Sequence, residues 1–234
     1  MRLPLAAVLE GRLLRRYRRF LAEIELPGGG REVVHCPDPG SMRGCLRIGA
    51  RVRCSESANP RRRLRYTLEM IRVGGTWVGV HTGRANQLVR RALAAGAIPG
   101  LEGYAEVCPE VRVGEGRLDF LLQGHPRDPR PAFLEVKSVT LAEGGLGLFP
   151  DSVTVRGRRH LETLARRARA GDRAVVLFAV QRGDCRAVAP AAEIDPAFAA
   201  ALRRAREAGV EARAVSVKVR PAGLELAGPL PVCG

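Results

Sequence analysis

Over the first ~80 residues, apolar positions alternate with polar ones instead of recurring at helical spacing. Ile24 and Leu26 alternate with Glu23 and Glu25 in a strand predicted over residues 13–26, which Pro27-Gly28-Gly29-Gly30 ends as a turn. Further strands are predicted over 31–35, 50–54, 64–73 and 76–81, with Gly74-Gly75 as the hairpin signal between the last two. Short strands, Gly/Pro turns and no helical stretch suit a small barrel such as an OB-fold, although five strands alone suit other small β folds equally well.

The pattern changes at residue 82. Leu88, Val89, Ala92 and Leu93 fall at helical spacing, predicting a helix over 85–95 that Gly96 stops. Strands are predicted over 110–113, 117–122 and 131–139, and the Gly-rich segment 143–147 reads as a loop without the spacing of a nucleotide-binding turn. A helix over 156–170 and a nearly continuous apolar strand over 173–180 follow. Asp195 then reads as an N-cap with Pro196 at the first helical position, Gly209 ends that helix, and a strand over 210–219 comes last. This is an α/β layout. The expected organisation is an OB-fold-like β domain over residues 1–81 and an α/β domain with a mixed sheet over 82–234.

Composition narrows the function. The 46% hydrophobic content excludes a disordered chain, and a formal net charge of +15 favours a polyanionic partner, because each neutralised phosphate releases counterions. Among the 39 basic residues only Lys137 and Lys218 are lysines. Arginine cannot deprotonate in a protein, so a lysine kept in an arginine-saturated chain points to a position needing a compact amine. No two of the six cysteines are spaced as C-x2-C, which argues against zinc. Glu10 interrupts the only leader-like stretch, and no apolar run could span a bilayer. A cytoplasmic protein with reduced thiols and no membrane partner is expected.

Strand parity supplies the candidate chemistry. Glu135 and Lys137 share one strand face while Leu134 and Val136 point the other way. Asp119, on the preceding strand, can sit beside Glu135. Asp119 and Glu135 with a backbone carbonyl form an oxygen site suited to Mg2+, with Mn2+ as a substitute, and Lys137 would stand where it can assist water or hold a phosphate. This is the D-x(n)-E-x-K pattern of the PD-(D/E)xK nucleases, although strands often carry such charges on a solvated face. Candidate phosphate contacts are Arg15, Arg16, Arg18 and Arg19, then Arg61, Arg62, Arg63 and Arg65, and Arg156 near the start of a helix. His160 belongs to a basic cluster, residues 156–160, that could touch the phosphate, but reads more readily as an ordinary partly buried histidine; Gln181 could face the site but reads more readily as a strand-end polar residue. His35, Asp38 and Ser41 lack the Gly-x-Ser-x-Gly elbow of a hydrolase and read as a Pro/Gly loop.

Taken together, collinear motifs along nearly the whole chain resemble the sugar fermentation stimulation protein A family: Arg16-Tyr17-Arg18-Arg19-Phe20, His35-Cys36-Pro37, Gly40-Ser41-Met42, Ala85-Asn86, Arg117-Leu118-Asp119-Phe120, Glu135-Val136-Lys137-Ser138-Val139 and Phe149-Pro150-Asp151. The resemblance implies an N-terminal OB-fold, a PD-(D/E)xK nuclease-like second domain, DNA binding without marked sequence preference, and a regulatory link to sugar utilisation, notably maltose. It matches Asp119, Glu135 and Lys137 to the nuclease-like positions. It also implies one departure, Arg91, where members commonly carry an acid in the first helix of this domain. Three readings stay open: a DNA-binding protein on a nuclease-like scaffold, an active Mg2+-dependent DNA nuclease, and a single-stranded nucleic-acid or RNA module led by the barrel.

Overall fold

The computed structural model of the chain describes residues 1–114 and 116–234. Strands β1 (Arg2–Pro4), β2 (Leu9–Tyr17), β3 (Leu21–Glu25), β4 (Arg31–His35), β5 (Arg51–Glu56), β6 (Tyr66–Val73) and β7 (Thr76–Gly79) come first. Helix α1 (Thr82–Ala94) follows, then β8 (Glu106–Val113), β9 (Gly116–Gln123), β10 (Ala132–Val139), β11 (Leu141–Glu143) and β12 (Leu146–Phe149). The chain continues with α2 (Val155–Arg169), β13 (Arg173–Val180), β14 (Ala187–Pro190), α3 (Pro196–Glu207), β15 (Glu211–Arg220) and β16 (Gly223–Leu230).

The predicted strand over 13–26 is two strands, β2 and β3. The chain reverses at Arg18 and Arg19, both at positive φ (46° and 62°), and Arg16 Nε donates to the Arg19 carbonyl at 2.9 Å to hold the turn. No Gly or Pro marks this reversal, so turn chemistry could not expose it. β4, β3, β2, β5 and β6 pair in that order, and a parallel contact of His35 with Thr67 joins β6 back to β4. That circuit closes a five-stranded barrel of OB type around Leu13, Ile24, Val34, Val52, Leu68 and Ile71.

The second unit is built on a mixed sheet ordered β1-β16-β15-β13-β10-β9-β8, parallel through β10, β13 and β15 and antiparallel toward both edges. Helix α1 covers one face, where Ala85, Val89 and Leu93 pack on Leu122, Leu134 and Leu177. Helices α2 and α3 cover the other, where Leu161, Leu164, Phe198 and Leu202 pack on Phe133, Val176 and Phe178. β1 belongs to this second sheet although it precedes the barrel in sequence. The segment 143–147, expected as a loop, is the turn of the β11–β12 hairpin, and β12 pairs with β14 in a small third sheet.

A mixed cluster of Leu3, Met70, Trp77, Leu88, Val217 and Leu224 joins barrel to sheet. So does an ion pair on a buried carboxylate: half-buried Arg84 of α1 donates to Glu69 of β6 at 2.6 Å, and Ser55 Oγ donates to the same carboxylate at 2.7 Å.

Candidate nucleic-acid cleft and acidic centre

The β9–β10 ladder is registered at Ala132 with Leu122, Phe133 with Leu121 and Leu134 with Phe120, and runs no further. One residue on, a side chain takes over: Asp119 Oδ2 accepts from the Val136 N–H at 2.8 Å. The two strands part there, and the gap is the floor of a cleft of about 520 Å³. Alternation along β10 sends Phe133, Glu135, Lys137 and Val139 toward α2, as strand parity requires.

On that floor Lys137 Nζ donates to Glu135 Oε1 at 2.7 Å, and His160 of α2 reaches the same oxygen through Nδ1. Glu135 and Lys137 are buried. Glu135 Oε2 is buried as well and has no hydrogen-bond partner among the described residues. Burial works to raise the Glu135 carboxyl, but the hydrogen bond from His160 and the Lys137 charge outweigh it and hold it below the ordinary value. Asp119 goes the other way: burial first, then the Glu135 charge, pushes it up to about 6. Asn86 of α1 donates to Asp119 Oδ1 at 2.7 Å and fixes the carboxylate.

The predicted trio of Asp119, Glu135 and Lys137 thus meets on one floor, joined by Asn86, to which the sequence reading assigned no such place, and His160, which it read first as an ordinary histidine. His160 is part of the charged cluster, and Asn86 orients Asp119. Neither strand parity nor motif spacing reaches them, because both come from helices whose docking decides what they face. The weight placed on Arg91 is corrected: Arg91 is exposed and lines no part of the cleft. It lies five residues beyond Asn86, about 140° around the helix, so Asn86, with Thr82 at the helix start, is what α1 presents to the cleft. Gln181 is fully buried, donates to Ser138 Oγ at 2.8 Å and stays outside the cleft.

Of the predicted phosphate-binding arginines, Arg19 and Arg156 line the cleft. Arg15 is paired with Glu23 and Arg65 with Glu56, each at 2.6 Å. Arg16 is spent on the carbonyls of Asp38 and Gly40, at 2.8 and 2.9 Å, and Arg62 reaches His35 Nδ1 at 3.0 Å. Arg18, Arg61 and Arg63 are exposed and make no side-chain hydrogen bond among the described residues. The loop after β4 forms the barrel's lip of the cleft. There Met42 N–H donates to Asp151 Oδ2 at 2.7 Å, and a Cβ at Gly40 would run into the Asp151 carboxylate. Ser41 Oγ donates to the Asp151 carbonyl at 2.6 Å, so His35, Asp38 and Ser41 form no triad.

Two family models match the chain: the SfsA N-terminal OB domain over residues 14–80, and the Sugar fermentation stimulation protein RE domain over residues 83–223. The chain belongs to the sugar fermentation stimulation protein family. Homologs from Geobacter sulfurreducens and Halorhodospira halophila are 49% and 52% identical, each match covering 95% of this chain and 94% of the relative. A solved structure of Pyrococcus furiosus SfsA in complex with Ca2+ superposes with a TM-score of 0.91 at 28% identity, covering 100% of both chains. The family's OB barrel and mixed-sheet unit are therefore the fold found here. No helix among the described residues is long and apolar enough to cross a membrane.

Proposed function

We propose that this protein binds DNA and that the cleft floor is a divalent-metal centre for phosphodiester hydrolysis. The observation that carries the reading is the carboxylate pair of half-buried Asp119 and buried Glu135, with Glu135 Oε2 left without a partner among the described residues. A buried carboxylate oxygen with nothing to bond is costly unless a cation or water meets it. Two carboxylates close enough for one to raise the other's pKa are relieved by the same cation.

The donor set fits a hard cation. Asp119 and Glu135 would hold it through oxygen, and among the described residues no group of three or more His, Cys, Asp or Glu side chains could do so. Few protein ligands and several waters suit Mg2+, with Mn2+ as a substitute. The Ca2+ of the Pyrococcus furiosus relative is a cation of the same oxygen-seeking kind. A bound divalent cation supplies Lewis-acid stabilisation of the phosphoryl charge.

The chain's own groups do the rest. Lys137 Nζ, held at Glu135 Oε1, stands ready to donate to a phosphate oxygen entering the cleft. Asn86 and the Val136 N–H keep Asp119 aimed at the floor. Arg19 of the barrel and Arg156 of α2, both lining the cleft, hold neighbouring phosphates without reading bases. A regulatory part in sugar utilisation, maltose included, would act through this DNA binding.

The test is cleavage of labelled single- and double-stranded DNA with Mg2+ or Mn2+, beside EDTA and Lys137→Ala. Cutting that requires metal and falls at least ~100-fold in the variant is expected. DNA binding without cutting in either metal would leave a DNA-binding protein on a nuclease scaffold, and no binding to either DNA would sink the reading outright.

A further inference from the structure

A second groove, of about 850 Å³, opens beside the cleft and shares Arg156 and His160 with it. One wall is α2 and the other is the β8–β9 hairpin. On α2, Arg156, Arg159 and Arg166 fall three and then seven residues apart, so they form one stripe along the helix. Arg112 and Arg117 stand on the facing wall, Arg117 paired with Glu110 at 2.8 Å. Glu162 is the one acidic side chain in the lining among the described residues.

We infer that this groove carries the phosphate backbone of the nucleic acid beyond the cleft, and that α2, more than the barrel's arginine clusters, supplies the phosphate contacts. The inference rests on the DNA reading above.

First, helix α2 sorts its arginines by direction. Arg158 is tied to Asp195 at 3.2 Å, and Arg167 is paired with Asp172. Arg156, Arg159 and Arg166 have no carboxylate within ion-pair distance among the described residues. Glu162, at i+3 from Arg159 and i−4 from Arg166, is paired with neither. A solvated arginine face would gain from such pairs, whereas this face leaves its charges free toward the groove.

Second, the like charges of Arg112, Arg156, Arg159 and Arg166 repel one another across the groove, while Arg117 is held by Glu110. A polyanion between them turns the repulsion into attraction and releases counterions. The stripe from Arg156 to Arg166 runs about 15 Å along the helix axis, the span of several phosphates on one strand. Third, much of the barrel's charge is already committed. Arg15 and Arg65 are neutralised by carboxylates, and Arg16 is consumed by backbone carbonyls. Contacts of guanidinium with phosphate position a nucleic acid without specifying sequence.

The experiment measures binding of a short labelled duplex to the full chain in EDTA across a salt series. Three proteins are compared: wild type, Arg159→Glu/Arg166→Glu, and Arg90→Glu/Arg91→Glu, the last two altering net charge equally. Arg90 and Arg91 are exposed on α1 and line neither groove nor cleft. The groove variant is expected to lose about tenfold more affinity than the α1 variant. Its salt dependence should flatten by roughly two contacts' worth, at a slope of about 0.9 each. Arg159→Gln/Arg166→Gln should move both quantities in the same direction by less, which covers a charge-reversed chain that misfolds. Equal weakening by the groove and α1 variants would overturn the inference while leaving DNA binding intact. A wild type that binds no DNA would instead overturn the function proposed above. Groove-dependent binding without any cleavage would support the groove and remove only the catalytic half of that function.

Discussion

Asp38 sits buried in the loop after β4, its carboxyl pushed up to about 6 by burial and then by the charge of Asp151, against the hydrogen bond from the Gly40 N–H. Its ordinary value is 3.8, so folding favours the protonated form. That contribution is complete below about pH 4 and is lost as the pH rises through about 6, leaving an ionised carboxylate that costs stability at neutral pH. Asp38→Asn keeps an acceptor for Gly40. It is expected to stabilise the fold by on the order of 2 kcal/mol near pH 8 and by nothing near pH 4. Denaturant unfolding at the two pH values checks this, and an equal gain at both would refute it. Residues of the acidic floor were legible for a different reason. Asp119, Glu135 and Lys137 lie on strands, where parity fixes direction. Asn86 and His160 were illegible because only the docking of α1 and α2 on the sheet decides what they touch, and the weight on Arg91 came from the family resemblance, whereas the helix turns that side chain to solvent.

Among the elements, α2 and α3 start from one shared acid. Asp195 caps α3 by accepting from the Phe198 N–H at 2.9 Å, and its other oxygen accepts from the N–H of Thr154, the N-cap of α2, at 2.8 Å. Burial opposes its charge, but those two N–H groups and Arg158 hold its pKa below the ordinary value. Its contribution is therefore present above the ordinary carboxylate range and lost as the pH falls through the lowered value. Asp195→Ala should cost about 3 kcal/mol, a cap plus a charged hydrogen bond, as read from urea midpoints at neutral pH. A loss below about 1 kcal/mol would mean that the two helices do not depend on it. Asp195-Pro196 announced this start in the sequence. β16 announced nothing, because Gly223, Gly228 and Pro229 make it read as a loop, and β1 is only three residues long. Both are strands because an exposed sheet edge was waiting for them.

At the scale of the whole molecule, the proposed division between residues 81 and 82 is bridged by Arg84 and Glu69, whose side chain is fully buried. Arg84→Ala leaves that buried carboxylate with Ser55 Oγ as its remaining donor and no countercharge, and should cost about 3 kcal/mol. Calorimetry should then show the barrel melting apart from the α/β unit, whereas a single unshifted transition would show that the apolar seam of Trp77 and Leu88 suffices. The layout of barrel and α/β unit was legible because the hydrophobic period changes at residue 82. How they meet was not, since Leu3, Met70, Trp77, Leu88, Val217 and Leu224 are drawn from far-apart stretches.

The pairing of β1 with β16 sets an order of events during synthesis. The barrel's strands emerge together and can close early, but Arg2–Pro4 must wait for Gly223–Leu230, made more than two hundred residues later, before it has a neighbour to bond. On the ribosome, the earliest strand is among the last to be seated. An amino-terminal fragment ending after the barrel would therefore carry a homeless edge, free to pair with another copy.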